Sequence, residues 1–400
     1  MAKENKIIIR GANIVNSQNT KKADILIANG KIVEIKENIQ KKGAVEIKAH
    51  NKHVLPGFID IHTHLRTPGR EDEEDLLSGS QAAAKGGFVK IFCMPNTQPP
   101  IDNEGVATWI IKESRRIGLV DIYPVGAITK GRKGVELSEF GSLKKSGCLS
   151  LSDDGDPVES TLLMRRALEY ARMYNLLIVS HCEDRSLSQA GSMRESFVSS
   201  KYGISSVPDI SESLRVARDI EIARYLNSPI HICHVSTAKS LQIIKRAKEK
   251  GVAVSCETCP HYFSLTLEDI LANRFDANFK VNPPLGDKTD LEAVRRALKE
   301  GTIDCIASDH APHSRAEKEL PFEDAPFGMV GLELVFSLAN TYLVKKGCLS
   351  LNEVSRRLSL NPALLYGFKN NGSIEEGKDA DLVIADTDSA LRVCEEELVS

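Results

Sequence analysis

Short runs of β-branched residues dominate both ends of the chain. These strand-like runs are residues 6–10, 23–27, 32–35 and 379–386. The second and third flank Asn29-Gly30, a pair that is typical of a two-residue hairpin turn. We therefore predict a small flanking β-sandwich domain that both termini build together, from residues 1–54 and 365–400.

Between these ends, short apolar runs alternate with longer amphipathic stretches. The apolar runs are residues 57–62, 89–94, 121–125, 148–152, 176–180, 230–234, 252–256 and 303–307. Residues 238–248 place apolar side chains on one helical face and stop at Gly251. About eight β/α units close a parallel barrel, so we predict an α/β fold with a (β/α)8 TIM barrel over residues 55–364. The alternative, a doubly wound open sheet, usually needs a glycine-rich phosphate turn, which Gly57 and Gly69 do not form.

The composition narrows the functional classes. Of the 400 residues, 42% are hydrophobic and 27% are charged, and the formal net charge is -3. This balance argues against a disordered chain and gives no electrostatic support to nucleic-acid binding. No apolar run reaches membrane-spanning length, and residues 1–6 contain no signal-peptide core. The nine cysteines are scattered through strand-like segments, which favours buried thiols in a cytoplasmic protein over disulfide bonds.

Imidazoles and carboxylates recur where the apolar runs end, which is where a barrel carries its catalytic groups. His62 and His64 end the first run and can share one face of a strand. The ends of later runs supply His181, His234, Asp309 and a carboxylate from Asp154 or Asp153. This donor set suffices for two borderline metal ions such as zinc. The alternative, a set of unrelated core residues, is disfavoured because buried polar groups without partners are costly.

Two charged residues of this region, Asp309 and Arg66, are candidates for proton transfer and for substrate binding. Asp309 is the candidate proton carrier, because it is the nearest base to the expected metals; a purely ligating role is the alternative. Arg66 follows the metal pair and suits a substrate carboxylate, whereas a surface salt bridge with Glu71 or Asp72 would make it structural. Further candidates for binding the carboxylate or ring amides are Asn96, Asn282 and His313, although Asn96 also fits a simple turn.

Other motifs receive structural interpretations. Cys256 and Cys259 have the spacing of a redox or zinc pair, but no second pair accompanies them, so we expect buried thiols. His231 lies on the strand face opposite His234 and is predicted to be structural. The same interpretation covers His50, His53, His261 and His310.

The residues at the strand ends belong to longer motifs. These are residues 54–69, 86–88, 94–97, 153–155, 181–183, 234–236, 281–285, 308–313, 326–328 and 361–363. Together they resemble the amidohydrolase superfamily, and more closely the bacterial class I dihydroorotases. The resemblance covers nearly the whole chain. It implies an eight-stranded barrel with a flanking β-domain, and reversible ring closure of N-carbamoyl-L-aspartate to dihydroorotate in pyrimidine synthesis.

The resemblance also implies roles for single residues. His62, His64 and Asp309 match the ligands of one zinc ion, and His181 and His234 match ligands of a second. The bridging carboxylate falls on the Asp-Asp-Gly motif, where alignment of the neighbouring motifs favours Asp154 over Asp153. Arg66, Asn96 and His313 match contacts to the substrate carboxylate, and Asn282 and the Phe327 and Gly328 backbone match contacts to the ring. His64 also matches a substrate-binding residue.

Two departures from the family pattern stand out. Thr67 occupies a position where many relatives carry Glu or Asp, and we expect this change to be tolerated. Relatives carry further C-terminal residues with a closing strand beyond the point that matches Ser400. We therefore expect a β-domain that is either incomplete or finished differently.

Three rival functions follow from the same resemblance. Dihydropyrimidinases and hydantoinases bridge their metals with a carboxylated lysine after the fourth strand, whereas Lys144 and Lys145 precede that strand here. An allantoinase is disfavoured for the same reason, and Arg66 favours an acidic substrate. A non-catalytic scaffold for aspartate transcarbamoylase would usually lose metal ligands, which this chain retains. A transcarbamoylase partner and a homodimer stay hypotheses.

Overall fold

The computed structural model of the protein describes residues 6–189 and 191–400. Its strands are β1 (Lys6–Val15), β2 (Thr20–Ala28), β3 (Lys31–Lys36), β4 (Val45–Lys48), β5 (His53–Pro56), β6 (Phe58–Thr63), β7 (Phe88–Cys93), β8 (Asp121–Pro124), β9 (Gly126–Ala127), β10 (Ser150–Ser152), β11 (Leu177–Ser180), β12 (Met193–Arg194), β13 (Ser206–Val207), β14 (Ile230–Ile232), β15 (Val254–Thr258), β16 (Cys305–Ile306) and β17 (Leu382–Ala385).

The helices mostly follow the strands in alternation. They are α1 (Leu76–Gly86), α2 (Glu104–Ile117), α3 (Phe140–Lys145), α4 (Thr161–Met173), α5 (Arg185–Ser188), α6 (Phe197–Tyr202), α7 (Ile210–Leu226), α8 (Ala238–Glu249), α9 (Pro260–Ser264), α10 (Leu267–Ala272), α11 (Lys288–Glu300), α12 (Arg315–Lys318), α13 (Val335–Ala339), α14 (Leu351–Ser355) and α15 (Asn361–Tyr366). Short π-helical segments, Asn340–Val344 and Arg356–Leu360, continue α13 and α14.

Eight parallel strands form a closed ring. Strands β6, β7 and β8 make one ladder, and β9, β10, β11, β14, β15 and β16 make another. Only Val125 separates β8 from β9, and its amide donates to the Cys93 carbonyl at 2.9 Å, so these two segments act as one strand. At the other seam, Thr63 pairs with His310 in parallel, and the His64 amide donates to the His310 carbonyl at 2.8 Å. The predicted TIM barrel is confirmed.

Successive side chains of the barrel strands point alternately outward to the helices and inward to the barrel interior, and this creates two apolar layers. On β11, Ile178 packs with residues of the surrounding helices, whereas Val179 joins Phe92, Cys233 and Cys305 from other strands inside the barrel. Because both faces of each strand are covered, the strands have the continuous apolar sequence of a parallel sheet. Many polar residues of these segments lie at the strand ends, but Asp60 and Glu257 are buried within strands.

Strands from both chain ends lie in one further sheet, with the order β17-β5-β1-β2-β3 and β4 beside β1. The segment that leads into β17 also bonds to the opposite edge, where the Ile32 amide donates to the Lys378 carbonyl at 3.0 Å. This sheet, which both termini build as predicted, therefore curls over its own apolar core. The domain boundaries at residues 54 and 365 stay a prediction.

The cysteines and the helices agree with two expectations from composition. All nine cysteines are unpaired thiols, and seven of them are buried. Within residues 6–189 and 191–400, no helix combines the length and the apolar character needed to cross a bilayer.

The curled sheet is expected to contribute measurably to stability. Ile25 on β2 is fully buried and pairs with Ile9 of β1, so Ile25→Ala should lower the free energy of unfolding by about 2–5 kcal/mol. Val33 on β3 is 45% exposed, and Val33→Ala, the matched control, should stay within about 0.5 kcal/mol. Urea unfolding followed by circular dichroism measures both. Equal effects of the two changes would contradict a core at this face.

Candidate metal centre

The first group of candidate ligands comes from both sides of the barrel seam. His62 ends β6 and His64 follows it, and the β6–β7 register shifts just before Thr63, as strands often do beside active sites. The Asp309 Oδ1 atom lies 3.5 Å from His62 Nε2 and 3.3 Å from His64 Nε2. These three side chains are all buried, so their polar atoms face one another rather than water.

A second group lies beside the first. His181 follows β11 and His234 follows β14, and His181 Nδ1 is 2.8 Å from His234 Nε2. Asp154 lies between the two groups: its Oδ1 atom is 3.2 Å from His181 Nδ1, and its Oδ2 atom is 3.4 Å from His64 Nε2. Asp154 therefore has the geometry of a carboxylate shared by two sites.

Asp153, the open alternative, faces away from these imidazoles. Its Oδ1 atom accepts a hydrogen bond from the Thr129 amide at 3.1 Å, and its Oδ2 atom accepts one from the Thr129 hydroxyl. Burial raises the pKa of Asp153 to about 6 despite these bonds. The geometry favours Asp154 over Asp153, in agreement with the motif alignment.

The donor set fits divalent cations. Among the residues that the structure describes, the buried His62 Nε2 atom has no hydrogen-bond partner, and it faces the carboxylates of Asp154 and Asp309 at 3.5 Å. Burial works against ionised carboxylates, but the imidazoles outweigh it and hold the pKa of Asp154 and of Asp309 well below the usual range. Buried carboxylates of this kind need positive charge close by. A bound cation would supply this charge. Two triads of imidazoles and carboxylates could each hold such an ion, and their ligand types suit zinc.

A second layer of carboxylates supports the imidazoles. Glu257 on β15 is fully buried, and its two oxygens lie 2.6 Å from His62 Nδ1 and 3.1 Å from His231 Nε2. Glu183 lies 2.9 Å from His181 Nε2, and this contact helps to lower the pKa of Glu183 to about 2 against the effect of burial. Such partners fix the orientation of an imidazole that binds a metal.

The backbone beside the ligands is also held by buried acids. Asp60 accepts from the amides of His62 and Ser308, each at 3.1 Å, and so joins the two strands of the seam. Glu212 of α7 accepts from the Thr237 amide at 3.2 Å and from the Ser236 hydroxyl, directly after His234. These bonds fix the turns from which the ligands project.

A cavity of about 190 Å³ opens onto the ligands. Its walls include His64, Arg66, Asn96, Asp154, His181, Asn282, Asp309, His313, Phe327 and Gly328. All of the sequence-predicted substrate contacts thus line one space. Among the described residues that line it, none is a lysine.

Arg66 is held at the cavity by buried partners. Its Nε atom is 3.0 Å from Glu73 Oε2 and donates to the Pro312 carbonyl at 3.0 Å. One terminal nitrogen lies 3.1 Å from His313 Nε2. The ion pair is with Glu73 rather than with the expected Glu71 or Asp72, and it is buried rather than on the surface. Arg66 therefore presents its guanidinium beside His313 to the cavity.

The two candidate amide side chains contact a candidate ligand imidazole or the partner of one. Asn96 Oδ1 accepts from His64 Nδ1 at 2.8 Å, and Asn282 Nδ2 donates to Glu183 Oε2 at 3.0 Å. Asn96 was also interpreted as a simple turn residue, but a turn alone does not account for its hydrogen bond with His64. Both amides lie where they could also reach a bound ring.

Two lysines position the loop that carries Phe327 and Gly328. Lys318 Nζ donates to the Gly328 carbonyl at 2.7 Å, and burial lowers the pKa of Lys318 to about 8. Lys280 Nζ lies 4.6 Å from the centre of the Phe327 ring, and the Lys280 carbonyl accepts from the Gly328 amide at 2.8 Å. Gly328 has φ of 139° and lies so close to the Ala311 carbonyl that a larger side chain would clash.

Comparison with known proteins identifies the family. A dihydro-orotase-like family model matches residues 51–240, and an amidohydrolase family model matches residues 209–400. A dihydroorotase from Acetivibrio thermocellus is 47% identical over 382 residues, which are 95% of this chain and 89% of the relative. The chain belongs to the dihydroorotase family. A further member, from Geobacter metallireducens, is 45% identical over 397 residues, or 98% of this chain and 93% of its own.

Solved structures confirm the fold of this family member. An L-hydantoinase (dihydropyrimidinase) from Arthrobacter aurescens has a TM-score of 0.87 at 25% identity, covering 98% of this chain and 89% of that chain. A dihydropyrimidinase from Brevibacillus agri has a TM-score of 0.81 at 27% identity, covering 95% and 86%. The predicted membership among the cyclic amidohydrolases is thus confirmed.

Sequence reasoning found the imidazoles but missed their supporting acids. Glu257 and Asp60 each interrupt an apolar strand run, and a charged residue in a fully buried strand is a usable signal. His231 was predicted to be structural. Its two ring nitrogens form hydrogen bonds with Glu257 and Ser255, and it belongs to neither triad. No comparable signal marks Lys280 or Lys318, whose partners are backbone carbonyls of a loop.

Removing the charge of Glu257 should weaken metal binding. Glu257→Gln replaces the carboxylate that orients His62 by a neutral amide, and we expect affinity for zinc to fall about 10- to 100-fold. Metal content after dialysis against graded chelator measures the change. Glu268→Gln, at an exposed position of α10, is the matched control and should retain metal as the parent does. Equal retention by both variants would remove Glu257 from this role.

Proposed function

We propose that this protein is a dihydroorotase that interconverts N-carbamoyl-L-aspartate and (S)-dihydroorotate in pyrimidine synthesis. The observation that carries the proposal is the position of Arg66 and His313, which lie beside the same cavity as Asp154 and Asp309. A carboxylate-binding pair next to a candidate hydrolytic centre suits a cyclic amide that bears a carboxylate. The relatives named dihydroorotase, at 42–47% identity, support the same substrate.

We further propose zinc as the cofactor, two ions per subunit. His62, His64 and Asp309 would hold one ion, and His181 and His234 the other, with Asp154 shared between them. Divalent ions in such a site act as Lewis acids that polarise a carbonyl and make water more acidic. Two observations support this assignment: His62 Nε2 has no hydrogen-bond partner within residues 6–189 and 191–400, and the imidazoles hold the pKa of Asp154 well below its usual range.

The remaining residues would bind and orient the substrate. Arg66, with His313 and Asn96, would hold the carboxylate, which fixes the ring before reaction and reduces its entropy. Asn282 and the backbone of Phe327 and Gly328 would hold the ring amides. His64 borders the same space and would contact the substrate as well as an ion.

Asp309 would carry the proton. Its Oδ1 atom faces His62 and His64, and its side chain also borders the cavity. In hydrolysis it would take a proton from the attacking water and deliver it to the ring nitrogen that leaves; ring closure reverses both transfers.

The hydantoinase alternative rests on the structural neighbours, which share 25–28% identity. A bridging lysine would have to follow β10, where Asp154 stands between the imidazoles. Lys144 lies on α3 instead and donates to the Asn175 carbonyl at 3.2 Å. A scaffold without catalysis is disfavoured by the complete donor set.

The state of the cysteines bears on the location of the protein in the cell. The unpaired, mostly buried thiols support a reducing cytoplasm as the location. A homodimer and a complex with aspartate transcarbamoylase stay hypotheses, and analytical ultracentrifugation with and without the transcarbamoylase would test both.

Substrate choice tests the proposed function. The zinc-loaded protein should turn over dihydroorotate far faster than hydantoin or allantoin, and chelator should abolish all three activities. Arg66→Lys should lower kcat/KM for dihydroorotate by at least about tenfold, because a charged bidentate contact is lost. Arg116→Lys, on the exposed surface of α2, is the control. A preference for hydantoin would refute the proposal.

A second change isolates the proton carrier. Asp309→Asn keeps an oxygen ligand but removes the base, so kcat should fall by at least about 100-fold while much of the metal stays bound. Steady-state kinetics and metal analysis of the same preparation separate the two effects. Undiminished turnover in the metal-loaded variant would exclude Asp309 as the base.

A further inference from the structure

A third cluster of potential ligands adjoins the two triads. Cys259, His261 and Asp309 each place one ligand atom within 4.8 Å of the others. Cys259 is fully buried, and His261 is 3% exposed. Neither has a role in the reaction proposed above, so their convergence on Asp309 needs a separate explanation.

The barrel geometry accounts for the convergence. On β15, Ser255 and Glu257 face His231, and the extended backbone at Cys259 continues this alternation. Helix α9 begins at Pro260 and brings His261 back toward the strand ends. Strand β16 pairs with β15, so Asp309, which follows β16, lies alongside.

The chemistry of the cluster favours a soft cation. His261 Nε2 is buried without a hydrogen-bond partner among the described residues, and such a group is costly to leave unpaired. A thiolate, an imidazole and a carboxylate form a three-ligand set of the kind that binds zinc and leaves one position open. Sulfur makes this set more favourable for thiophilic ions than either triad, since those triads offer nitrogen and oxygen alone.

We propose that Cys259, His261 and Asp309 form a third cation site for thiophilic divalent ions, and that an ion bound there inhibits the enzyme by withdrawing Asp309 from proton transfer. When the ion binds, a metal–sulfur bond forms and the thiol proton passes to solvent, so no oxidant or reductant takes part. The inhibition rests on the proposed function, whereas the binding does not.

Cadmium is a suitable probe, because its bond to a thiolate absorbs in the ultraviolet. The full chain, loaded with two zinc ions per subunit, should bind one further Cd²⁺ ion with this absorption, and its turnover of dihydroorotate should fall in step. Cys259→Ser should lose both effects. Cys348→Ser is the matched control, since that thiol lies elsewhere and bonds to the Arg295 carbonyl, and it should keep both.

Three further variants keep the experiment decisive if the serine variant does not fold or if the cation binds elsewhere. Cys259→Ala, checked by circular dichroism, replaces the serine variant if that one does not fold. His261→Asn should lower cadmium affinity at least roughly tenfold, since even the loss of a partner of a ligand costs about 10- to 100-fold. Cys233 lies near His62 and Asp154, and loss of the absorption only in Cys233→Ser would overturn the assigned site.

The outcomes separate this inference from the proposed function. Absorption and inhibition that persist in Cys259→Ser would refute the third site. Cadmium binding at Cys259 without any loss of turnover would refute the inhibition. If the zinc-loaded protein does not turn over dihydroorotate, the proposed function fails, but the absorption still decides whether Cys259 binds the ion.

Discussion

The buried carboxylate of Asp154 is the constraint on which the site depends. It lies among imidazoles from β6, β11 and β14, and its two oxygens face two different groups of them. Such a charge is costly away from water unless positive charge lies close by. The parallel strands of the barrel bring the ends of β6, β11 and β14 to one face, so the fold places these imidazoles around the carboxylate.

The supporting acids show how the barrel holds this arrangement. Glu257, Asp60 and Glu212 are buried, and each bonds to an imidazole or to a backbone amide beside a ligand. Burial raises the pKa of Asp60 to about 7, against the effect of its bonds to Ser308 and His62, whereas the imidazoles around Asp154 hold its pKa well below the usual range. The pKa of each buried acid thus depends on the partners that the neighbouring strands supply.

The sequence allowed prediction of the barrel and of the clustering of the candidate ligands, because both follow local rules. Apolar runs of strand length alternate with helical faces, and His62, His181 and His234 each end such a run. Contacts made within the long loops follow no such rule. The pairing of Arg66 with Glu73 rather than Glu71, and the support of Gly328 by Lys318, depend on how loops fold over the barrel. The choice between Asp153 and Asp154 likewise needed the direction of each side chain.

The difference between strand residues and loop residues also explains how one barrel fold can occur in enzymes that act on different cyclic amides. The hydantoinase from Arthrobacter aurescens shares this fold at 25% identity, so the strands tolerate extensive change while the barrel persists. The groups that would choose a substrate here project from loops: Arg66 has φ of 59°, and His313 and Gly328 lie on the segment after β16. Specificity for an acidic ring would therefore lie in a few loop residues, whereas the candidate metal ligands lie at or just after the strand ends. Asp309 would belong to both sets, since it follows β16, faces the candidate imidazoles and also borders the cavity.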